Sequence, residues 1–187
     1  MKTRIFVAIN LPSEIKKKFL SFQQKWPDLP VRWTKEENLH ITLIFIGYVG
    51  DEEIVETCQI AKGVTQKQTP FEINLKRIYL GPPQGTPRMI WVEGEKSQEL
   101  AELKDNLEKS LLRSQNSGPK SKEVRAFSPH ITLARIKQLK WRELKEKPKI
   151  DLEISASFLV SSIEIMQSTL KPEGPEYVIL EKAELGG

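Results

Sequence analysis

Only one cysteine, Cys58, and two histidines, His40 and His130, occur among the 187 residues. A single thiol excludes an intramolecular disulfide and any cysteine-rich metal site, and it makes a reducing, cytoplasmic setting the natural expectation. Long apolar runs are equally scarce. None reaches the roughly 18 residues that a membrane-spanning helix needs, so no membrane association is expected. The stretch Ile5-Phe6-Val7-Ala8-Ile9 behind Lys2 and Arg4 imitates a secretion signal, yet it stops at Asn10 and Pro12, too early for the usual apolar region. It reads as a buried strand.

What is present is ordinary for a globular chain: 39% hydrophobic and 29% charged residues, with enough length to bury a core without staples. A formal net charge of +4 and a pI of about 9.1 favour anionic partners such as phosphates or RNA. Strand periodicity at residues 3–10 is followed by helical spacing over 13–26, where Ile15, Phe19, Phe22 and Trp26 share a stripe and Lys16, Lys17 and Lys18 fall mostly on the wet side. Thr34 and Glu37 have the spacing of a capping box ahead of the β-branched run 39–47, a strand that Gly47 should end. Residues 51–65 return to helical spacing, with Cys58 on the core side. Strands at 71–80 and 89–92 should form a hairpin, and Leu100, Leu103, Leu107 and Leu111 define a helix over 97–113. The polar stretch 116–122 reads as a mobile connection. A strand at 130–135, a short basic helix or loop at 138–147 and three strands near 150–158, 160–170 and 177–183 complete the chain. Strands and helices mix without strict βαβ alternation, which points to an α+β fold with largely antiparallel pairing.

The two histidines open the same tetrapeptide, His40-Ile41-Thr42-Leu43 and His130-Ile131-Thr132-Leu133. Coincidence is a poor explanation for a four-residue repeat behind the only two imidazoles in the chain. On a strand, side chains alternate, so each copy sets a His and a Thr on one face while Ile and Leu anchor the other. The copies stand about half the chain apart, as an internal duplication would place them. Two related lobes facing one another would then bring both His-Thr pairs to one cleft. Two imidazoles flanking a phosphorus suit acid–base phosphodiester chemistry, because one can take a proton from water while the other protonates a departing alkoxide. Thr42 and Thr132 can donate to phosphate oxygens.

These motifs resemble those of the bacterial and archaeal RNA 2′,3′-cyclic phosphodiesterases, the LigT or 2′-5′ RNA ligase family of two-histidine phosphoesterases. The resemblance extends in order through Arg4-Ile5-Phe6-Val7-Ala8-Ile9 with Leu11-Pro12, Arg32-Trp33, Glu37-Asn38-Leu39 before the first motif and Phe45-Ile46-Gly47 after it. It continues in Ile90-Trp91-Val92, Phe127-Ser128-Pro129 before the second motif, Ala134-Arg135 after it, and Ser168-Thr169-Leu170 with Gly174 and Tyr177. It implies a single bilobal domain over 1–187, with two mostly antiparallel sheets, outer helices and a central cleft. It further implies His40 as general acid, His130 as the base that activates water, Thr42, Thr132 and Arg135 as phosphate contacts, and a 2′-phosphomonoester product. No metal or other cofactor is implied. The implied partner is RNA ending in a 2′,3′-cyclic phosphate, transfer-RNA fragments among them, and the expected state is a monomer. Strict alternation would put Arg135 on the face opposite His130, so its role needs a local twist. Ile44 departs from a position often basic in similar sequences and, by period two, should share the face of His40.

Several residues have a plainer reading. Trp33, Phe45, Phe127, Trp91 and Tyr177 are expected to pack rather than stack on bases. The cations at 135, 137, 140, 142, 145, 147 and 149, with Lys120, Lys122 and Arg125, suit an RNA backbone and a solvated surface equally. Two alternatives stay open: the same chemistry on small cyclic nucleotides, and a non-catalytic RNA-binding module.

Overall fold

The computed structural model describes residues 2–114 and 127–186; the expected mobile stretch at 116–122 and the cations Lys120, Lys122 and Arg125 lie outside them. Among the described residues, nine strands and four α-helices follow one another as β1 (Thr3–Asn10), α1 (Ser13–Gln23), β2 (Val31–Trp33), β3 (His40–Val49), α2 (Asp51–Thr65), β4 (Phe71–Gly81), β5 (Met89–Gly94), α3 (Gln98–Arg113), β6 (His130–Ile136), α4 (Gln138–Glu143), β7 (Asp151–Val160), β8 (Ser162–Lys171) and β9 (Gly174–Glu184). All pairings are antiparallel, in keeping with the expected α+β class.

The strand order is β7-β4-β5-β6-β3-β1-β8-β9, with β2 added against β6. The two sheets of the expectation are therefore two four-strand arms of one ladder, and the arms meet where β3 and β6 pair at Ile41 and Ile131. The motif strands are the innermost strand of each arm.

Helices cover one face of the ladder. Phe19 and Phe22 of α1, Ala61 of α2 and Leu100, Leu103, Leu107 and Leu111 of α3 join Ile5, Val7, Ile9, Ile41, Leu43, Ile131 and Leu133 in one core. Each fully buried leucine of α3 contributes about 1.5–3 kcal/mol. Ser97 starts that helix, its Oγ accepting from the Leu100 N–H at 3.2 Å. Alternation along β1 sends Arg4, Phe6 and Ala8 to the other face, where Phe6, Ala8 and Met166 form a small second cluster capped by Tyr177. That uncovered face carries the site.

Local expectations fail in three places. The capping box at Thr34 does not form: Glu36–Asn38 is a 3₁₀ turn with no side-chain cap, because the Thr34 N–H instead donates to the Leu133 carbonyl at 2.8 Å. The strand after it runs through Gly47, which takes φ 98° at a register shift that pairs Ile5 with Gly47 but Phe6 with Phe45. A glycine absorbs that left-handed backbone without a Cβ clash. Lys16 is buried rather than wet; it sits on α1 facing Glu164, Glu36 and Glu37, and burial still pulls its pKa below the usual lysine range.

Candidate active site

The Ile41–Ile131 pair fixes the centre of the site. Both side chains are fully buried, so the residues on either side of each, His40 and Thr42 on one strand and His130 and Thr132 on the other, turn to the open face. In an antiparallel pair this sense puts His40 level with Thr132 and Thr42 level with His130. Two His-Thr pairs thus meet head to tail across the join, and all four line one cleft of about 1610 Å³.

Both imidazoles are held the same way. His40 Nδ1 lies 2.7 Å from the Asn38 carbonyl, and His130 Nδ1 lies 2.8 Å from the Ser128 carbonyl, in each case two residues upstream. A carbonyl can only accept, so in the neutral ring Nδ1 carries the proton and Nε2 is the basic nitrogen. The Thr42 hydroxyl donates to His40 Nε2 at 3.0 Å. Asn38 is itself fixed, its Nδ2 donating 2.8 Å to the Pro175 carbonyl, so the start of β9 helps to place the His40 ring.

Aromatic rings complete both mounts. His40 packs between Phe6 and Tyr177, each with centroids 5.1 Å away. His130 lies over Trp91 at 4.1 Å and an interplanar angle of 33°. Trp91 reaches this position by resting on Gly81, where a Cβ would come within 2.2 Å of the indole. Burial lowers the His40 pKa to about 4, with Lys16 and His130 adding to the shift and the Asn38 hydrogen bond opposing it.

Alternation breaks at the same point in both motif strands. Over their first seven residues β3 and β6 share one burial pattern, with two consecutive buried residues at Leu43-Ile44 and at Leu133-Ala134. Register shifts at Val7/Ala8 and Ile90/Trp91 leave Leu43 and Leu133 as the extra residues of two β-bulges. The bulge supplies the twist that Arg135 requires: it is exposed and lines the cleft with His130. The same bulge corrects two expectations in the first copy. Ile44 does not share the face of His40 but is buried in the core, and Phe45, expected to pack, is 56% exposed in the cleft wall. Phe45 and Arg135 occupy matching places, each five residues beyond its histidine.

The structure adds residues that sequence reasoning missed. Arg4, Arg32 and Arg88 line the cleft beside Arg135. Arg32 is the cross-strand partner of Arg135, and the charges of Arg135, Arg4 and Arg32 all act on Tyr177, opposing the rise that burial imposes on its pKa. Arg77 also reaches the cleft, but its guanidinium is engaged by Asp151 at 2.6 Å. Period two on β1 would have turned Arg4 and Phe6 away from the core, yet nothing in so apolar a strand marks its second face as functional. Arg32 becomes visible only through the β2–β6 pairing. Trp33 and Phe127 pack against the core as expected, whereas Trp91 and Tyr177 are half-buried against the imidazoles. Among the described residues no group of three His, Cys, Asp or Glu side chains stands together as a metal site, and no helix is long and apolar enough to cross a membrane.

Residues 9–91 and 92–177 each match the family described as LigT like phosphoesterase. An RNA 2′,3′-cyclic phosphodiesterase of Methanocaldococcus jannaschii is 31% identical over 183 residues, 96% of this chain and 99% of that protein. One of Aeropyrum pernix is 35% identical over 158 residues, 81% and 85% of the two chains. Among solved structures, TT0787 of Thermus thermophilus is similar with a TM-score of 0.83 at 27% identity, covering 98% of both chains. LigT of E. coli, complexed with 3′-AMP, has a TM-score of 0.80 at 25% identity over 100% of both. One family match falls on each histidine motif, relatives align along nearly the whole length, and the fold is shared: this chain belongs to the LigT-like phosphoesterase family.

Proposed function

We propose that the protein hydrolyses the 2′,3′-cyclic phosphate at the 3′ end of RNA to a 2′-phosphomonoester. The observation that carries this reading is the head-to-tail meeting of two His-Thr pairs in a cleft walled by arginines. Water attacks phosphorus while neutral His130 Nε2 takes its proton, the P–O3′ bond breaks, and protonated His40 Nε2 delivers a proton to O3′. Solvent exchange returns both rings to their starting states. When His40 is protonated, the Thr42 hydroxyl no longer donates to Nε2 and is released towards a phosphate oxygen. Thr132 and Arg135 hold the remaining oxygens, the guanidinium through charge-assisted hydrogen bonds.

A pKa of about 4 leaves His40 neutral in the empty cleft at pH 7. The diester anion itself raises that value, since an opposite charge within about 4–6 Å favours the protonated ring. The acid is therefore armed by its substrate. No step is assigned to a metal. With a 5′-hydroxyl in place of water as the attacking group, the same breaking of the P–O3′ bond joins a cyclic end to that hydroxyl through a 2′-5′ linkage. The natural setting we infer is a single bilobal domain acting as a monomer in the cytoplasm, with transfer-RNA fragments among its substrates.

The test is turnover of a cyclic-phosphate-ended oligonucleotide by wild type, His40→Ala and His130→Ala, with folding checked by circular dichroism. Each substitution is expected to lower kcat by about 10²–10⁴-fold without unfolding the chain. A product bearing a 3′-phosphate, or full activity in either variant, would refute the reading.

A further inference from the structure

Adjoining the main cleft is a second cavity of about 450 Å³, lined by Arg32, Arg88, Arg135, Lys137 and Gln138 among others. Arg32, Arg88 and Arg135 also line the main cleft, so the two spaces share that wall. Four of the residues are cations, and none of the lining residues is acidic. Among the described residues no ion pair reaches any of the four cations. Arg32 and Arg135 are direct cross-strand partners, and like charges in that relation destabilise a sheet. Such an arrangement persists at least cost when an anion lies between the charges.

The walls are rigidly joined. The Ile136 N–H donates to the Arg88 carbonyl at 2.8 Å, the Lys137 N–H to the Pro30 carbonyl at 2.8 Å, and Gln138 Nε2 to the Pro87 carbonyl at 3.1 Å. Three chain segments are thereby joined through their backbones around the cavity, with the four cationic side chains exposed at its surface. Its volume falls within the range of small-ligand sites and exceeds what one phosphate needs.

We propose that this cavity is a second phosphate subsite, one that takes the internal phosphodiester adjoining the terminal nucleotide of an RNA chain. The inference rests on the reading of the main cleft given above, and it makes the preferred substrate an oligonucleotide rather than a cyclic mononucleotide. Arg32, Arg88 and Arg135 bridge the two phosphates, and Lys137 serves the second alone.

Lys137 is exposed and does not line the main cleft, so Lys137→Glu and Lys137→Ala isolate the second cavity. The measurement is kcat/KM for a 2′,3′-cyclic mononucleotide and for a dinucleotide and a hexanucleotide with the same cyclic end, across a salt series. Lys137→Glu is expected to lower the oligonucleotide values about tenfold, with Lys137→Ala intermediate, and to leave the mononucleotide within about twofold. The salt slope for the hexanucleotide should become shallower by about 0.7–1. An equal change on all three substrates, or no change on any, overturns the subsite. Absence of wild-type turnover on every cyclic end would instead overturn the reading of the main cleft, and the subsite with it.

Discussion

A proton titration gives the sharpest check on the electrostatics of the cleft. His40 is expected to hold its proton in the free protein only below a pH of about 4, against an ordinary 6.5, because the ring is desolvated and faces Lys16 and His130. The unfolded chain takes up that proton at the ordinary value. Unfolded protein therefore binds more protons than native protein as pH falls from about 6.5 to about 4, and native stability declines over that window before levelling off. At about 1.4 kcal/mol per pH unit the loss amounts to about 3 kcal/mol. Urea unfolding at stepped pH should show a steeper decline for wild type than for His40→Asn, which has nothing to titrate at that position. With only two histidines in the chain, imidazole NMR follows the group directly, and the His130→Asn spectrum assigns it. Inorganic phosphate should move the His40 midpoint upward as an anion enters the cleft. A midpoint at or above 6.5 in the free protein, or equal acid slopes for wild type and His40→Asn, would refute the argument.

Two further outcomes follow from the mounts of the site. Arg135→Ala should reduce kcat/KM about 10–100-fold, the loss of charge-assisted hydrogen bonds worth about 1.5–3 kcal/mol, with little change in melting temperature; a loss of fold instead would count against a substrate contact. Gly81→Ala should cost about 1–3 kcal/mol of stability and also depress activity, because its Cβ must push the Trp91 ring from beneath His130; differential scanning calorimetry with a turnover assay reads both.

The repeated tetrapeptide makes the centre of the site legible from sequence, since period two correctly sends Ile41 and Ile131 inward and the four polar side chains outward. Element positions follow from the same periodicities, and α3 with its leucine stripe matches closely. Beyond the fourth residue of each motif that logic fails, because a bulge is a difference in residue count between two paired strands and leaves no mark in either strand alone. Period two thus puts Ile44 on the wrong face, and the face of Arg135 requires coordinates. The arginine wall is hidden for a related reason. Arg4, Arg32, Arg88 and Arg135 come from or beside four different strands, and only their lateral pairing makes them neighbours. Lys16 escapes the pattern because one turn of α1 faces the acidic groups Glu36, Glu37 and Glu164, which a helical wheel drawn in isolation cannot contain.

The paired bulges have one more consequence. Burial repeats from one copy to the other through the seventh residue, while the rings around the two imidazoles differ, Phe6 and Tyr177 on one side and Trp91 on the other. On the cleft-facing side the motif residues match through the threonines and part at the fifth residue after each histidine, with a phenyl ring on one bank and a guanidinium on the other. Two strands that repeat one motif thus acquire a direction from the side chains set around them, and an asymmetric guest meets a different bank in each sense.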